Sequence, residues 1–501
     1  MFFWERIMSH KAKSPAQMDI LHGPMMKNIL WFALPLALSG LIQQLFTSAD
    51  MAVVFWFDKN PTTAQAAVNS NGALVSLVIN LFSGLAVGST VVIAELIGKN
   101  NTDDVHSVVV TSLVMALVCG VIILGLGIGI AQPLLALMGT PDTVLPLATL
   151  YLRIYFSGMP FFMVYNFGAA ILRSIGDTKN SVIILLVTGV LNVGLNILFV
   201  AVFDMSVAGV AIATVVANFV SAVMVVFLIM RYEVLRPRRG RSKIRKQYVK
   251  DIIVIGMPAG LQGLVFSLAN VFIQTSVNGF GDAAMAGNGD AINFEMYAYY
   301  FINGFVQAAV TFISQNYAAG EYERCKRIFK LTFWSSVIVS AALSIVFVAG
   351  GRLFIRIYTT DPEAIRYALL RLWCVGSSIV LACTYEIPSG ALRGIGHSLL
   401  PAVLTIIGSC VLRIIWIYSL FIVYPYYWML MIVYPVSWTL TGIAVLASYI
   451  VISRKAYRNN SECGIRNAEL KEELAESNSE CGMRNSELKE ELDESNAATP
   501  Q

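Results

Sequence analysis

Long stretches without a single charged side chain govern what this chain can become. Residues 28–49, 64–94, 181–203, 205–230, 252–281, 296–320 and 331–351 are each uncharged. Each reaches the roughly 20 residues that a helix needs to cross a bilayer. A further apolar run, 414–453, is too long for one crossing, and Tyr424-Pro425-Tyr426-Tyr427 divides it. With the less clean segments added, twelve spans are expected, over 28–55, 70–97, 107–131, 147–172, 180–203, 207–230, 251–277, 285–315, 331–350, 366–390, 399–421 and 429–453. In hydrocarbon the backbone must satisfy its own hydrogen bonds, so a span is a helix or part of a closed barrel. Barrel strands are about ten residues long and alternate with period two. Nothing in this sequence reads that way, and the expected fold is all-α and integral to the membrane. Only 13% of the residues are charged, against about 25% in soluble domains.

Charge supplies the orientation. With the N-terminus inside, the cytosolic segments through Arg458 carry 24 Lys and Arg, and the outer side carries six: Lys59, Arg153, Arg352, Arg356, Arg366 and Arg371. Arg413 falls within a span, and four more lie in the tail. This bias satisfies the positive-inside rule and places both termini in the cytosol of a multi-pass cell-membrane protein. The loop 231–250, with nine basic residues, is the strongest anchor. Topology and contact with anionic lipid account for its charge, so no nucleic-acid partner is implied.

Seven scattered cysteines form no CxxC pair, which argues against a disulfide framework or a zinc site. The first apolar run is too long for a cleaved signal peptide, so residues 1–25 read as a short cytosolic arm. His10, His22, His106 and His397 fall at or near cytosolic ends. Phosphate-binding glycine loops, catalytic triads and metalloprotease spacings are absent from the sequence. Neither an enzyme nor a nucleotide-driven pump is therefore expected, and no cofactor is implied.

The chain repeats itself. At an offset of 220, Ala49-Asp50 meets Ala269-Asn270, Gly84 meets Gly304 and Thr140 meets Thr360. Leu172-Arg173-Ser174-Ile175-Gly176 meets Leu392-Arg393-Gly394-Ile395-Gly396. Near the start the offset is 223, pairing Pro35 with Pro258 and Gly40 with Gly263. An even number of spans per repeat returns the chain to its starting side, so the halves share an orientation. They should be related by a pseudo-two-fold axis along the membrane normal with a cavity between them, the plan of secondary transporters. The expected organisation is an arm (1–25), a six-helix bundle (26–230), a basic linker (231–250), a second six-helix bundle (251–455) and an acidic tail (456–501). The tail contains its own 18-residue repeat, 460–477 and 478–495.

Several intramembrane side chains are candidates for function. Asp50 follows 22 uncharged residues. A carboxylate at the centre of a span costs about 2.5–3.5 kcal/mol, so such a residue faces a cavity or a partner. Asn192 and Asn196 share one face of the fifth span, and Thr214 lies in the sixth. Their oxygens suit a hard cation and equally suit interhelical hydrogen bonds. Asn166 in the fourth span joins this set. Pro35 removes a hydrogen bond from the first helix and bends it. In the second half Glu295, Glu386 and Arg413 are buried charges. A pair of Arg413 with Glu386 or Glu295 is expected, either as structure or beside a glutamate that recognises a cationic substrate. Of Tyr297, Tyr299 and Tyr300, which cannot all face one way, Tyr300 is taken as the aromatic member of this network.

The order and spacing of several motifs resemble the MATE (multidrug and toxic compound extrusion) family. They are Gly23-Pro24, Ala33-Leu34-Pro35, Gly40 and Ala49-Asp50; residues 172–179; Ala208-Gly209-Val210-Ala211-Ile212-Ala213-Thr214; Ser314-Gln315-Asn316-Tyr317-Ala318-Ala319-Gly320; and residues 392–396. The resemblance covers roughly residues 23–455. It implies two six-helix bundles in a V and export of small organic, often cationic, compounds in exchange for Na⁺ or H⁺. Asp50 stands where the family has its principal cation-coupling carboxylate. The matches to Asn192 and Thr214 help form that site, and Asn196 replaces a second acid. Bending at Pro35 is expected to accompany a change of state at Asp50. The branch resembles DinF more than NorM, because Phe266 and Ala382 occupy the places of the NorM-type acids. Any metal bound would be Na⁺ at Asp50, Asn192, Asn196 and Thr214. The expected partners are small-molecule substrates and lipid, with the chain acting as a monomer. A lipid-linked precursor flippase is the alternative, and a cavity with several basic residues would favour it.

Overall fold

The computed structural model describes residues 18–138, 140–238 and 243–458. The tail repeat, residues 1–17 of the arm and the centre of the basic linker lie outside them. Contacts group residues 1–449 as one unit and 450–501 as another; of the second, only 450–458, the end of the last helix, are described.

The first half contains α1 (Met25–Phe57), α2 (Pro61–Gly98), α3 (Thr102–Leu137), α4 in two pieces (Leu145–Ser157 and Met159–Ser174), α5 (Lys179–Ile197, extended by a π-helical turn to Val202) and α6 (Ser206–Arg231). The second half contains α7 (Lys246–Asn278), α8 (Asp282–Ala318), α9 (Tyr322–Ala349), α10 (Pro362–Gly394), α11 (Leu399–Phe421) and α12 (Tyr427–Arg458). The twelve helices form the two bundles expected from the repeat, and no strand occurs among the described residues. Their apolar outer faces, such as Leu117, Val118, Val121 and Ile122 on α3, are left exposed, as lipid contact requires.

Ten of these helices are long and apolar enough to cross a membrane alone, and the two pieces of α4 qualify together across a 49° bend. Gly158 and Pro160 account for that bend, since proline withdraws a hydrogen-bond donor. Its repeat partner, α10, instead tightens into a 3₁₀ stretch at Gly376–Ala382. Helix α8 is less apolar than the others, because amides and tyrosines interrupt its uncharged stretch 296–318. Most of its length is buried within the protein, including Asn288, Glu295, Gln315 and Asn316.

The halves join at the end that carries the basic linker. Helices α2 and α7 cross closely there: a methyl added at Gly84 would overlap the backbone of Gly260, and one at Gly88 would overlap Ile252. Ser314 Oγ donates to Val91 O at 3.0 Å, and Gln315 Nε2 donates to Ser174 O at 2.5 Å. Residues 18–24, the described part of the arm, are held by Arg324, which donates to the carbonyls of Ile20 and Gly23, each at 3.2 Å. A Gly260→Val substitution should force α2 and α7 apart at a cost of about 1–3 kcal/mol, the usual range for overpacking. A lowered melting temperature in detergent and a longer spin-label distance between the helices would register this. An unchanged distance would show that the crossing is slack.

Candidate functional site

In the first half, α1, α5 and α6 bring their polar residues together. Asn196 Nδ2 donates to Asp50 Oδ1 at 2.5 Å. The Asn192 amide is best satisfied with its nitrogen donating to the same oxygen at 2.8 Å and its oxygen accepting from the Thr214 N–H at 3.3 Å. Asn192 and Asn196 are buried, one helical turn apart on the inner face of α5, as their i,i+4 spacing requires. The Thr214 hydroxyl donates to Val210 O at 2.9 Å. Asn196 Oδ1 is buried with no donor. A carboxylate beside an unpaired amide oxygen has the chemistry of a hard-cation site. Among the described residues no cluster of three or more His, Cys, Asp or Glu forms a metal site, so any cation held here would rely on amide and hydroxyl oxygens as well.

Asn166 is not hydrogen-bonded into this cluster: its amide donates to Phe162 O of its own helix at 3.0 Å. Pro35 lies fifteen residues before Asp50 inside α1, which runs through it without interruption. The far end of α1 is tied to the α5–α6 turn by an ion pair between Lys59 and Asp204. Two residues that the sequence did not single out also belong here. Tyr151 and Tyr155 of α4 lie within electrostatic reach of Asp50. Their only advance signal was aromatic residues four apart on an apolar helix, a pattern shared with ordinary packing.

A partly open cavity of about 580 Å³ lies mainly against the second half, lined in part by Glu295, Glu386, Arg371, Arg393, Tyr299 and Tyr434 and reached by Asn80 of α2. Here three expectations are corrected. Glu295 pairs with Arg371, which donates from Nε at 2.8 Å and Nη2 at 2.7 Å to its two oxygens. Arg371, counted on the outer side, is 2% exposed and faces the protein interior. It lies in the last turn of the helix Pro362–Cys374, the opening segment of α10. Arg413 pairs with neither glutamate. It donates to Ser437 Oγ at 3.2 Å and Asn270 Oδ1 at 3.4 Å and stacks over Tyr434 with its guanidinium carbon 4.4 Å from the ring centre. Tyr300 points to the first half, donating to Gln44 Oε1 at 3.3 Å. Its neighbour Tyr299 lines the cavity together with Glu386. Successive helical residues turn by about 100°, so only one of the two can face each way.

The repeat partners of the first-half site are now visible. Asp50 corresponds to Asn270, and Thr214 to Tyr434, at the same offset of 220. Where the first half sets a carboxylate against amides, the second sets a guanidinium against an amide and an aromatic ring. One scaffold thus holds two sites of opposite polarity.

A family model described as MatE matches residues 35–198 and 258–419, one block in each half. The chain belongs to the MatE family. Its curated relatives include the probable multidrug resistance protein YoeA of Bacillus subtilis, 28% identical over 388 residues, or 75% of this chain and 82% of that one. The probable multidrug resistance protein NorM of Thermotoga maritima is 26% identical over 395 residues, 77% of this chain and 84% of that one. Among solved structures, an outward-facing conformation of a multidrug resistance MATE family transporter of the MOP superfamily aligns with a TM-score of 0.81 at 21% identity. The alignment covers 89% of this chain and 100% of that one. A MOP superfamily transporter from Pyrococcus furiosus aligns with a TM-score of 0.82 at 21% identity, over 89% of this chain and 99% of that one. These structures share the MatE fold with this chain.

Proposed function

We propose that this MatE-family protein is a secondary antiporter that exports small organic compounds, cationic ones among them, in exchange for Na⁺ or H⁺. The reading rests on one observation: Asp50, Asn192, Asn196 and Thr214, far apart in sequence, converge into a single polar site within the membrane-spanning bundle. The relatives named as multidrug resistance proteins supply the substrate class. In this reading both termini face the cytosol of a plasma-membrane protein that works as a monomer, and its sequence sides with the DinF-like branch. Two rigid bundles, 26–230 and 251–455, rock about the α2–α7 crossing, and bending of α1 at Pro35 follows the state of Asp50. The flippase alternative expected several basic residues in the cavity. Two line it: Arg371, which is ion-paired with Glu295, and Arg393, which donates to Gln262, and the relatives named as multidrug resistance proteins support the export reading.

Proteoliposomes carrying the purified protein and a fluorescent cationic substrate test the proposal. With a Na⁺ gradient alone in one arm and a proton gradient alone in the other, one arm should drive substrate accumulation at least about tenfold above empty liposomes. Accumulation in neither arm overturns ion coupling.

A further inference from the structure

The segment that leads into each bundle is fastened to the other half. Residues 18–24 precede α1, the first helix of the first half, yet the second half holds them. Arg324, in the first turn of α9, donates from Nη2 to the carbonyls of Ile20 and Gly23, each at 3.2 Å, and from Nε to Asn316 Oδ1 at 3.0 Å. Asn316 Nδ2 also donates to Ile20 O, at 3.4 Å. Ile20 is 3% exposed. The segment covers the turn after α4 as well: a methyl added at Gly176 would come within 2.8 Å of Met18 Cβ. Asn28 Nδ2 donates to Asp19 O at 2.7 Å, which ties the segment to its own helix. Residues 18–24 therefore bridge two turns, one from each half, that Gln315 joins directly through Ser174 O.

The repeat sets a second crossing against the first. At the offset of 223 Ile20 corresponds to Lys243, and at 220 Arg324 corresponds to Asp104. Residues 243–245 precede α7, the first helix of the second half, and are held by α3 of the first. Lys243 N donates to Ser107 Oγ at 3.4 Å, and Arg245 pairs with Asp104 at 2.7 Å. Each bundle entry is thus fastened to the opening turns of the other bundle's third helix. The fastenings differ in kind. Arg245 and Asp104 keep 52% and 22% of their side chains exposed, and such pairs are screened and weak. Arg324 instead gives charge-assisted hydrogen bonds to backbone carbonyls, beside a buried isoleucine. Hydrogen bonds fail beyond about 3.5 Å, so a movement of a few ångströms between the halves at this end breaks both crossings.

We propose that residues 18–24 are a strap that holds this end of the molecule closed, with Arg324 as its clasp. The strap leaves Arg324 before the bundles part at the end that carries the basic linker. Residues 243–245 are its weaker counterpart. The strap biases the equilibrium between closed and open arrangements, because its bonds exist only in the closed one. The proposal rests on the rocking of two bundles described above. It does not depend on what is transported or on which ion drives transport.

Spin labels at Lys99 and Lys330, both exposed and one in each half, test this by pulsed dipolar spectroscopy. The full-length protein is measured in nanodiscs, with its native cysteines replaced by alanine. Arg324→Gln and Ile20→Asn should each raise the ratio of long to short distances at least about threefold. The double variant should match the larger single effect, since both residues act through one strap, whereas independent residues would multiply their ratios. Unchanged distances in both single variants, or a double variant at the product of the two, overturns the proposal. A larger shift in Arg245→Gln than in Arg324→Gln overturns the assignment of the clasp. Should Ile20→Asn fail to fold, amide hydrogen exchange over residues 18–24 decides with Arg324→Gln alone. Exchange there should rise at least about tenfold along with the distance ratio; a ratio that rises while exchange stays unchanged overturns the strap. Variants that shift as expected in a protein without gradient-driven transport overturn the export reading and support this one.

Discussion

Replacing Asp50 with Asn is expected to abolish gradient-driven export while leaving the protein folded. The new amide has nearly the same shape, and Asn192 and Asn196 can still reach its oxygen. What disappears is the one formal negative charge in the first-half site, where the cluster otherwise supplies only neutral oxygens. A hard cation in a poorly solvated site depends on that charge. Accumulation in proteoliposomes should fall at least about tenfold, toward the level of empty liposomes. Asn166→Ala is the matched control. Its amide is bonded within its own helix, so transport should change less than about twofold. Undiminished accumulation by Asp50→Asn would remove Asp50 from the coupling mechanism.

Arg371→Leu should produce the largest loss of stability among the substitutions considered. It removes both guanidinium donors from Glu295, which is 5% exposed, and it strips an acceptor's partner from Asn288. Breaking a buried pair from one side typically costs about 3–5 kcal/mol, because the surviving charge has no water to return to. The double variant Glu295→Gln/Arg371→Leu should recover a large part of that, since no ion is left stranded. Thermal unfolding of the detergent-solubilised protein measures both. A double variant no more stable than Arg371→Leu would show that Glu295 is ionised and solvated by other means.

These two residues also show what sequence reasoning could and could not reach. Asp50 stood out because an isolated acid after 22 uncharged residues lies either at a wet helix end or in a protected polar site, and the structure sets it against Asn196. Asn192 and Asn196 were legible through their helical spacing. Arg371 was misread, since a charge near the head of a span looks the same whether it faces bulk water or a buried glutamate. Arg413 was recognised as intramembrane, but its partners were assigned by sign alone. The structure pairs it with an amide, a hydroxyl and aromatic faces, because Arg371 reaches Glu295 first. Tyr300 was chosen over Tyr299 for want of the helix rotation that separates them.

By itself the sequence determined the solvent, the helix count and the duplication, and it singled out the first-half acid. Each is a property of hydropathy along one dimension: a charge is either affordable in a span or it is not, and a repeat is visible as a repeat. Only the tertiary structure decided which charges meet. Partner choice among Glu295, Glu386, Arg371, Arg393 and Arg413 depends on the rotation of α7, α8, α10 and α11 about their own axes. Hydropathy carries little information on rotation once a helix is apolar on nearly every face. The twin halves therefore share a backbone plan, while the side chains at equivalent positions build an acid facing amides in one and a guanidinium facing an amide and an aromatic ring in the other.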